Sequence, residues 1–326
     1  MTRSPKVGIV SIGEMGAGIA KLLVAHGYVV LTNITGRSPY TYKRAEAASI
    51  TLLNSDEDLV VQADYILSIV PPRDALGTAQ RIFTAAASYR DEASPPLYYL
   101  DLNAVSPGRA RHMAEEFRFH APKTVVFIDG GILGGPPSPL PPTGQKGGDG
   151  IQWKRPAIPL AGPELPDPQL ARVLNVTHLG PTVGAASGLK CCFGALIKGL
   201  IALSIQSFTT AEALGVYEPL QEFLKHFQPA LQESTTRMIT EIPPKAGRWV
   251  EEMWEIGRCF GEDGGWDNVT GPPGSADIYR RVAEVFRTLA EDTVLGQERP
   301  EHRVRGTTAI DVAVAIEETL KPKVKE

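Results

Sequence analysis

The chain of 326 residues is poor in cysteine, with three, two of them adjacent at Cys191 and Cys192. That excludes a disulfide framework and a four-cysteine zinc site. The thiols are expected to pack as small apolar residues in a reducing compartment. Positive charge is not in surplus. With 33 Lys and Arg against 37 Asp and Glu the net charge is −4, which leaves no basic footprint for a nucleic-acid partner. The opening residues, Met-Thr-Arg-Ser-Pro-Lys, lack the apolar stretch of a signal peptide, so a cytoplasmic setting is expected. Residues 185–203 are apolar, but Lys190 and Lys198 interrupt them, which predicts a buried helix between domains or subunits rather than a membrane span. Neither a metal site nor a membrane partner is expected.

What remains is an ordinary globular composition, 43% hydrophobic and 21% charged, on a chain long enough for roughly two domains. Residues 7–20 read V-G-I-V-S-I-G-E-M-G-A-G-I-A: an apolar strand, a glycine cluster, then a helix. Such a turn lets backbone N–H groups at a helix N-terminus face a pyrophosphate. The usual G-x-G-x-x-G lacks its first glycine, because Ser11 stands there. Ile12, Gly13, Glu14, Met15 and Gly16 form the candidate cofactor loop.

A second absence bears on which dinucleotide is bound. Residues 28–32 are β-rich, and an NAD-binding fold carries an Asp or Glu near the end of this strand to hold the adenosine ribose. Here Asn33 occupies that place, followed by Arg37 and Ser38. A guanidinium and hydroxyls suit a 2′-phosphate, so NADP is favoured over NAD. Lys43 and Arg44 read as a solvated helix face.

Further strands are expected at 63–70, 97–102, 124–128, 157–161 and 173–179, with helices at 42–48, 73–86 and 107–117. Strands alternating with helices imply a doubly wound, mostly parallel sheet, whose ligands sit beyond the carboxyl ends of the strands. Val70-Pro71, Asn103 and the 130–135 glycine loop all fall there. Residues 136–155 are rich in Pro and Gly and are expected to form an exposed, mobile loop. From Thr182 the strand pattern stops. One long helix is expected over 183–214, then helices at 220–227, 231–239, 248–260 and 276–290. The division is therefore a Rossmann domain at 1–182 and an all-helical domain at 183–326. The long helix offers more apolar surface than the helical domain can cover, which predicts a homodimer through the C-terminal helices.

Lys190 and Lys198 sit among apolar residues, where an ammonium can be tuned for acid–base work. The helix around Trp249 reads as a wall of a pocket or a subunit contact.

The order of these motifs resembles the β-hydroxyacid dehydrogenase superfamily, which includes 6-phosphogluconate and 3-hydroxyisobutyrate dehydrogenases. Ile12–Gly16 is similar to its cofactor loop, Val70-Pro71 and 101–107 to its nicotinamide loops, 129–135 to its substrate loop, and 184–190 to its interdomain-helix motif. Segments 188–199 and 248–281 resemble a divergent, 6-phosphogluconate dehydrogenase-like branch. The resemblance implies Lys190 as general acid/base, and Asn103 and Ser106 as groups that position nicotinamide and substrate. Gly131, Leu133, Gly134 and Gly135 then line the substrate with Lys198 and Trp249, and Lys198 supports Lys190 electrostatically. Two departures stand out. Leu133 replaces the family's serine before the glycine pair, and Gly194 replaces its asparagine one turn after the lysine. Both make the pocket more apolar. The expected activity is NADPH-dependent carbonyl/alcohol interconversion on a small molecule. An imine reductase is the nearest alternative, although the resemblance implies Asp or Tyr at the place of Lys190 in such enzymes. A protein that binds NADP without chemistry is the other.

Overall fold

The structure is a computed structural model that describes residues 5–141, 151–268, 277–298 and 303–321. The chain divides into two compact units, Met1–Cys191 and Cys192–Glu326.

The first unit is built on strands β1 (Lys6–Val10), β2 (Val29–Asn33), β3 (Thr51–Leu53), β4 (Tyr65–Ser68), β5 (Leu97–Asp101) and β6 (Val125–Gly130). They lie parallel in the order 3-2-1-4-5-6. A short ribbon, β7 (Ser138–Pro139) and β8 (Trp153–Lys154), follows. Then β9 (Ile158–Ala161) joins antiparallel to β6, with β10 (Val176–His178) parallel to β9 at the edge. Helices α1 (Glu14–Ala25), α2 (Pro39–Ala47), α3 (Asp56–Gln62), α4 (Pro72–Tyr89), α5 (Pro107–His120) and α6 (Pro168–Leu174) complete the unit.

Alternation along the strands divides the core between two faces. Ile9, Leu67, Leu100 and Ile128 fill one, against Ile19, Leu22 and Leu23 of α1; Ile66, Tyr99 and Phe127 fill the other. Each fully buried aliphatic side chain of this kind contributes roughly 1.5–3 kcal/mol. Strand order reverses between β1 and β4, so the ligand crevice opens beyond Val10 and Ser68.

The next helix, α7 (Ala185–Ala213), starts in the first unit and runs into the second, so the division falls within it. By length and composition alone it is also apolar enough to cross a membrane. The second unit continues with α8 (Tyr217–Phe227), α9 (Pro229–Glu241), α10 (Ala246–Arg258), α11 (Asp277–Arg287) and α12 (Ala309–Leu320). α10 packs along α11, with Trp249 edge-on to Phe286 at 5.2 Å.

Several local expectations are corrected. Residues 173–179 are not one strand: Val173 and Leu174 end α6, Asn175 turns the chain in the left-handed region, and only Val176–His178 is extended. Asp167 starts that helix by accepting from the N–H groups of Gln169 and Leu170. The loop expected at 136–155 has paired flanks, β7 with β8; residues 142–150 lie outside the described residues. Cys191 and Cys259 are buried as expected, but Cys192 is exposed.

Candidate active site

The loop after β1 takes its shape from close approach. Ser11 adopts φ 79°, the left-handed conformation a glycine usually supplies at this turn. A Cβ on Gly16 would lie 2.2 Å from the Ser11 carbonyl oxygen, so only glycine fits. A Cβ on Gly13, in contrast, would meet no heavy atom within 4 Å. Gly13 caps α1, and its carbonyl accepts from Ala17 N–H at 2.9 Å. Open space at a helix N-terminus beside a glycine is the cradle a pyrophosphate needs.

A cavity of about 330 Å³ lies at this turn. Ser11, Ile12 and Gly13 line it from β1, Asn33 and Arg37 from the end of β2, and Arg44 from α2. Arg44 is not the solvated side chain expected from its helix face. Its Nε donates to the Ile12 carbonyl at 2.9 Å and fixes the cofactor loop. Ser38 stays exposed before α2, its hydroxyl 3.2 Å from that of Thr41.

The end of β2 carries Asn33 and no carboxylate of its own, but one arrives from another element. Asp56, from α3, reaches the same cavity: it accepts from Asn33 Nδ2 at 2.9 Å and pairs with Arg81 Nε at 2.9 Å. Three arginines and one carboxylate thus line the cavity, a set that fits a nucleotide bearing phosphates.

Beyond β4 and β5, Asn103 is 2% exposed. Its Oδ1 accepts from Val70 N–H at 2.7 Å, and its Nδ2 donates to Ser68 Oγ at 3.0 Å and to Asp101. The amide expected to help position nicotinamide and substrate spends both donors and its oxygen on the protein, and so fixes the Val70-Pro71 turn. Ser106, expected at the substrate, is 1% exposed at the start of α5.

The tip of β6 brings the substrate-loop residues together with Lys190. A Cβ on Gly131 would sit 3.1 Å from Lys190 Cβ, so the lysine stem crosses bare backbone there. Lys190 Nζ donates to the Ile132 carbonyl. Leu133 is held by both its N–H and C=O in a bridge to Ala157, at 2.8 and 2.9 Å, while Gly134 (φ 117°) and Gly135 lie exposed.

Two buried carboxylates beneath this edge carried no individual signal in the sequence. Asp101 and Asp129 are register partners on β5 and β6. Asp129 Oδ2 accepts from the N–H groups of Gly184, Ala186 and Ser187 at 2.7–3.3 Å, and Oδ1 accepts from Ser187 Oγ. It thereby anchors the start of the helix that carries Lys190, where the helix dipole favours negative charge. Burial raises its pKa, opposed by the Ser187 hydroxyl and these N–H groups. Asp101 is pushed up to about 8 by burial first and by the Asp129 charge second, against the bonds from Asn103. Its Oδ2 has no hydrogen-bond partner.

In the second unit, Lys198 is 7% exposed, is paired with Glu252, and lies 5.2 Å from the Trp249 ring centroid. Glu252 also approaches Arg248 at 3.6 Å, so Lys198 sits in a local charge cluster with a cation–π contact. A Cβ on Gly194 would lie 3.1 Å from Ile256 Cδ1. A side chain at this position would need the end of Ile256 to shift by a few tenths of an ångström.

The sheet order and the glycine turn beside this cavity are those of a dinucleotide-binding fold. Residues 6–140 match the NAD binding domain of 6-phosphogluconate dehydrogenase, and 211–289 match a domain of unknown function. A 28.5 kDa uncharacterized protein of Methanothermus fervidus, in the 7S RNA 5′ region, is 24% identical over 222 residues, 68% of this chain and 76% of that protein. In fold, 3-hydroxyisobutyrate dehydrogenase from Salmonella typhimurium is similar over 95% of this chain and 99% of its own (TM-score 0.65, 16% identity). The Mycobacterium tuberculosis 3-hydroxyisobutyrate dehydrogenase with L-serine is similar over 88% and 99% (TM-score 0.59, 19% identity). Residues 6–140 thus carry the NAD binding domain of the 6-phosphogluconate dehydrogenase type, and the chain shares the fold of the 3-hydroxyacid dehydrogenases.

Proposed function

We propose that the protein is a cytoplasmic, NADPH-dependent oxidoreductase that interconverts a carbonyl and an alcohol on a small molecule. The observation that carries this reading is the placement of Lys190. Its stem crosses Gly131 and its ammonium meets the Ile132 carbonyl, at the edge where ligands of a parallel sheet sit. The nicotinamide, when bound, supplies or accepts the hydride. Lys190 Nζ gives a proton to the substrate oxygen in reduction and takes one in oxidation. Asp129 holds the helix start that presents it. Arg37 and its neighbours in the cavity at the end of β2 favour a ribose phosphate, which makes NADPH the cofactor.

Leu133 stands where a polar group is expected, so the substrate is more apolar than a short hydroxy acid. Leu133 has also committed its backbone to Ala157, which leaves the exposed Gly134–Gly135 peptide as the anion-facing part of the loop. The test offers NADPH with oxo acids, apolar ketones and cyclic imines in parallel. Oxidation of NADPH with ketones supports the reading. Turnover confined to imines replaces it by the imine reductase alternative, and tight NADPH binding without turnover on any class replaces it by a protein that binds NADP without chemistry.

The active form is a homodimer. Leu196 and Leu203 of α7 are 77% and 63% exposed in the single chain, an apolar face that a second copy covers. Light scattering checks this: twice the chain mass is expected, and the monomer mass contradicts it.

A further inference from the structure

The nucleotide end of the first unit contains an ion pair that carbonyl chemistry does not call for. Asp56 Oδ2 takes Arg81 Nε at 2.9 Å, and Asp56 Oδ1 takes Asn33 Nδ2 at 2.9 Å. The Asn33 amide oxygen is itself engaged, accepting from Thr35 N–H at 3.1 Å. Asp56 thus ties the end of β2 to the middle of α4. Its side chain is 16% exposed, whereas that of Arg81 is 50% exposed.

Guanidinium geometry gives this arrangement a direction. Five N–H groups lie in one plane, and Nε with one terminal nitrogen forms a different edge from the two terminal nitrogens. A carboxylate on Nε leaves the outer fork free to bind an oxyanion in bidentate fashion. Arg81 lines the cavity that also holds Arg37 and Arg44. Arg44 points its Nε at the Ile12 carbonyl, so its orientation is fixed by the loop it supports. Of the three cations, Arg81 is the one oriented by an acid.

Charge bookkeeping agrees. Three arginines and one aspartate leave the cavity with two positive charges, which favours a ligand carrying a further phosphate over one without it.

The geometry points to Arg81 as a specificity-determining residue that reads a phosphate on the adenosine ribose, with Asp56 as a positioning residue acting through it. This inference rests on the NADPH reading above. Asp56, although an acid beside a phosphate site, favours the phosphorylated cofactor because its charge is spent on aiming a guanidinium.

The test measures dissociation constants of NADPH and NADH, and of 2′,5′-ADP and 5′-AMP, on the full chain. Wild type is compared with Arg81→Gln, Asp56→Asn and the double variant, with thermal melts as a check on folding. Arg81→Gln is expected to weaken NADPH and 2′,5′-ADP about tenfold or more and to change NADH and 5′-AMP less than about twofold. Asp56→Asn is expected to weaken the phosphorylated ligands about threefold or more, and to add little once Arg81 is gone. Should Arg81→Gln not fold, Arg81→Lys takes its place, keeping the charge without the fork; a partial loss of the NADPH/NADH ratio is expected. An unchanged ratio in the Arg81 variant overturns the inference while NADPH remains the cofactor. A wild type that binds NADH more tightly overturns the cofactor reading itself, whatever the variants do.

Discussion

Asp101 and Asp129 stand opposite each other on adjacent parallel strands, both at 0% exposure, with Asp129 committed to the start of α7 and Asp101 left with one oxygen unpartnered. Two like charges so close and so dry cannot both be held at little cost. The pair divides its roles by hydrogen bonding: Asp129 has four donors, Asp101 has the Asn103 amide.

This division makes stability depend on pH. The Asp101 carboxyl is raised to about 8 in the folded chain, whereas an unfolded aspartate titrates near 4, at about 3.9. A raised carboxyl contributes fully below the unfolded pKa, and its contribution is lost as pH rises through the folded one. Stability should therefore fall between about pH 4 and pH 8, by on the order of a few kcal/mol. Asp101→Asn removes the ionisation at nearly constant shape. Urea melts at pH 5 and pH 8 are expected to differ much less for the variant than for wild type; equal differences would refute the assignment.

Asp129→Asn should behave differently. It leaves one carbonyl oxygen for three N–H groups and discards the charge that faces the helix start. A loss of about 2–3 kcal/mol in unfolding free energy is expected. Because Asp129 also raises Asp101, the variant should flatten part of the same pH slope. A stability equal to wild type at pH 7 would show that α7 is not anchored through this carboxylate.

The glycines of the cofactor loop separate into two kinds. Gly16→Ala drives a methyl group into the Ser11 carbonyl and is expected to cost about 2 kcal/mol or more of stability. Gly13→Ala meets no protein atom and should fold normally, yet place its methyl group where the pyrophosphate approaches. Thermal melts with NADPH titrations distinguish them. A Gly13→Ala variant that binds NADPH like wild type would move the phosphates elsewhere.

Ser11 at φ 79° gives a prediction of opposite sign. A left-handed residue other than glycine carries roughly 1–2 kcal/mol of strain, part of which is offset by the larger unfolded-state entropy of glycine. Ser11→Gly should therefore raise stability by several tenths of a kcal/mol to about 1 kcal/mol. A clear destabilisation would mean that the hydroxyl makes a compensating bond in this turn.

The central strands were legible in the sequence because each is a continuous apolar run between breakers, as expected for a sheet covered on both faces. β3 was not: it is a three-residue edge strand, Thr51–Leu53, largely exposed, with no apolar run to mark it. α3 and α12 did carry signals in their caps, Ser55 accepting from Asp58 N–H and Thr308 from Asp311 N–H, but they are short or follow no strong apolar stripe. At the site, Gly131 and Lys190 were both visible from the order of motifs. The pairs Asp56–Arg81 and Asp101–Asp129 were not, since residues 25 and 28 apart meet only through the crossing of strands and helices. Lys198 was visible as a lysine among apolar residues, but its partner Glu252, 54 residues away, was not.

The role proposed for Lys190 is to move the proton at the substrate oxygen. Its most direct test is a Lys190→Met variant assayed under saturating NADPH on a carbonyl substrate that wild type turns over, with the NADPH dissociation constant measured alongside. The account predicts a fall in kcat of about 10²–10⁴-fold, typical for removal of a general acid, with cofactor affinity unchanged within about twofold. Undiminished turnover, or a loss fully explained by weaker NADPH binding, would contradict it.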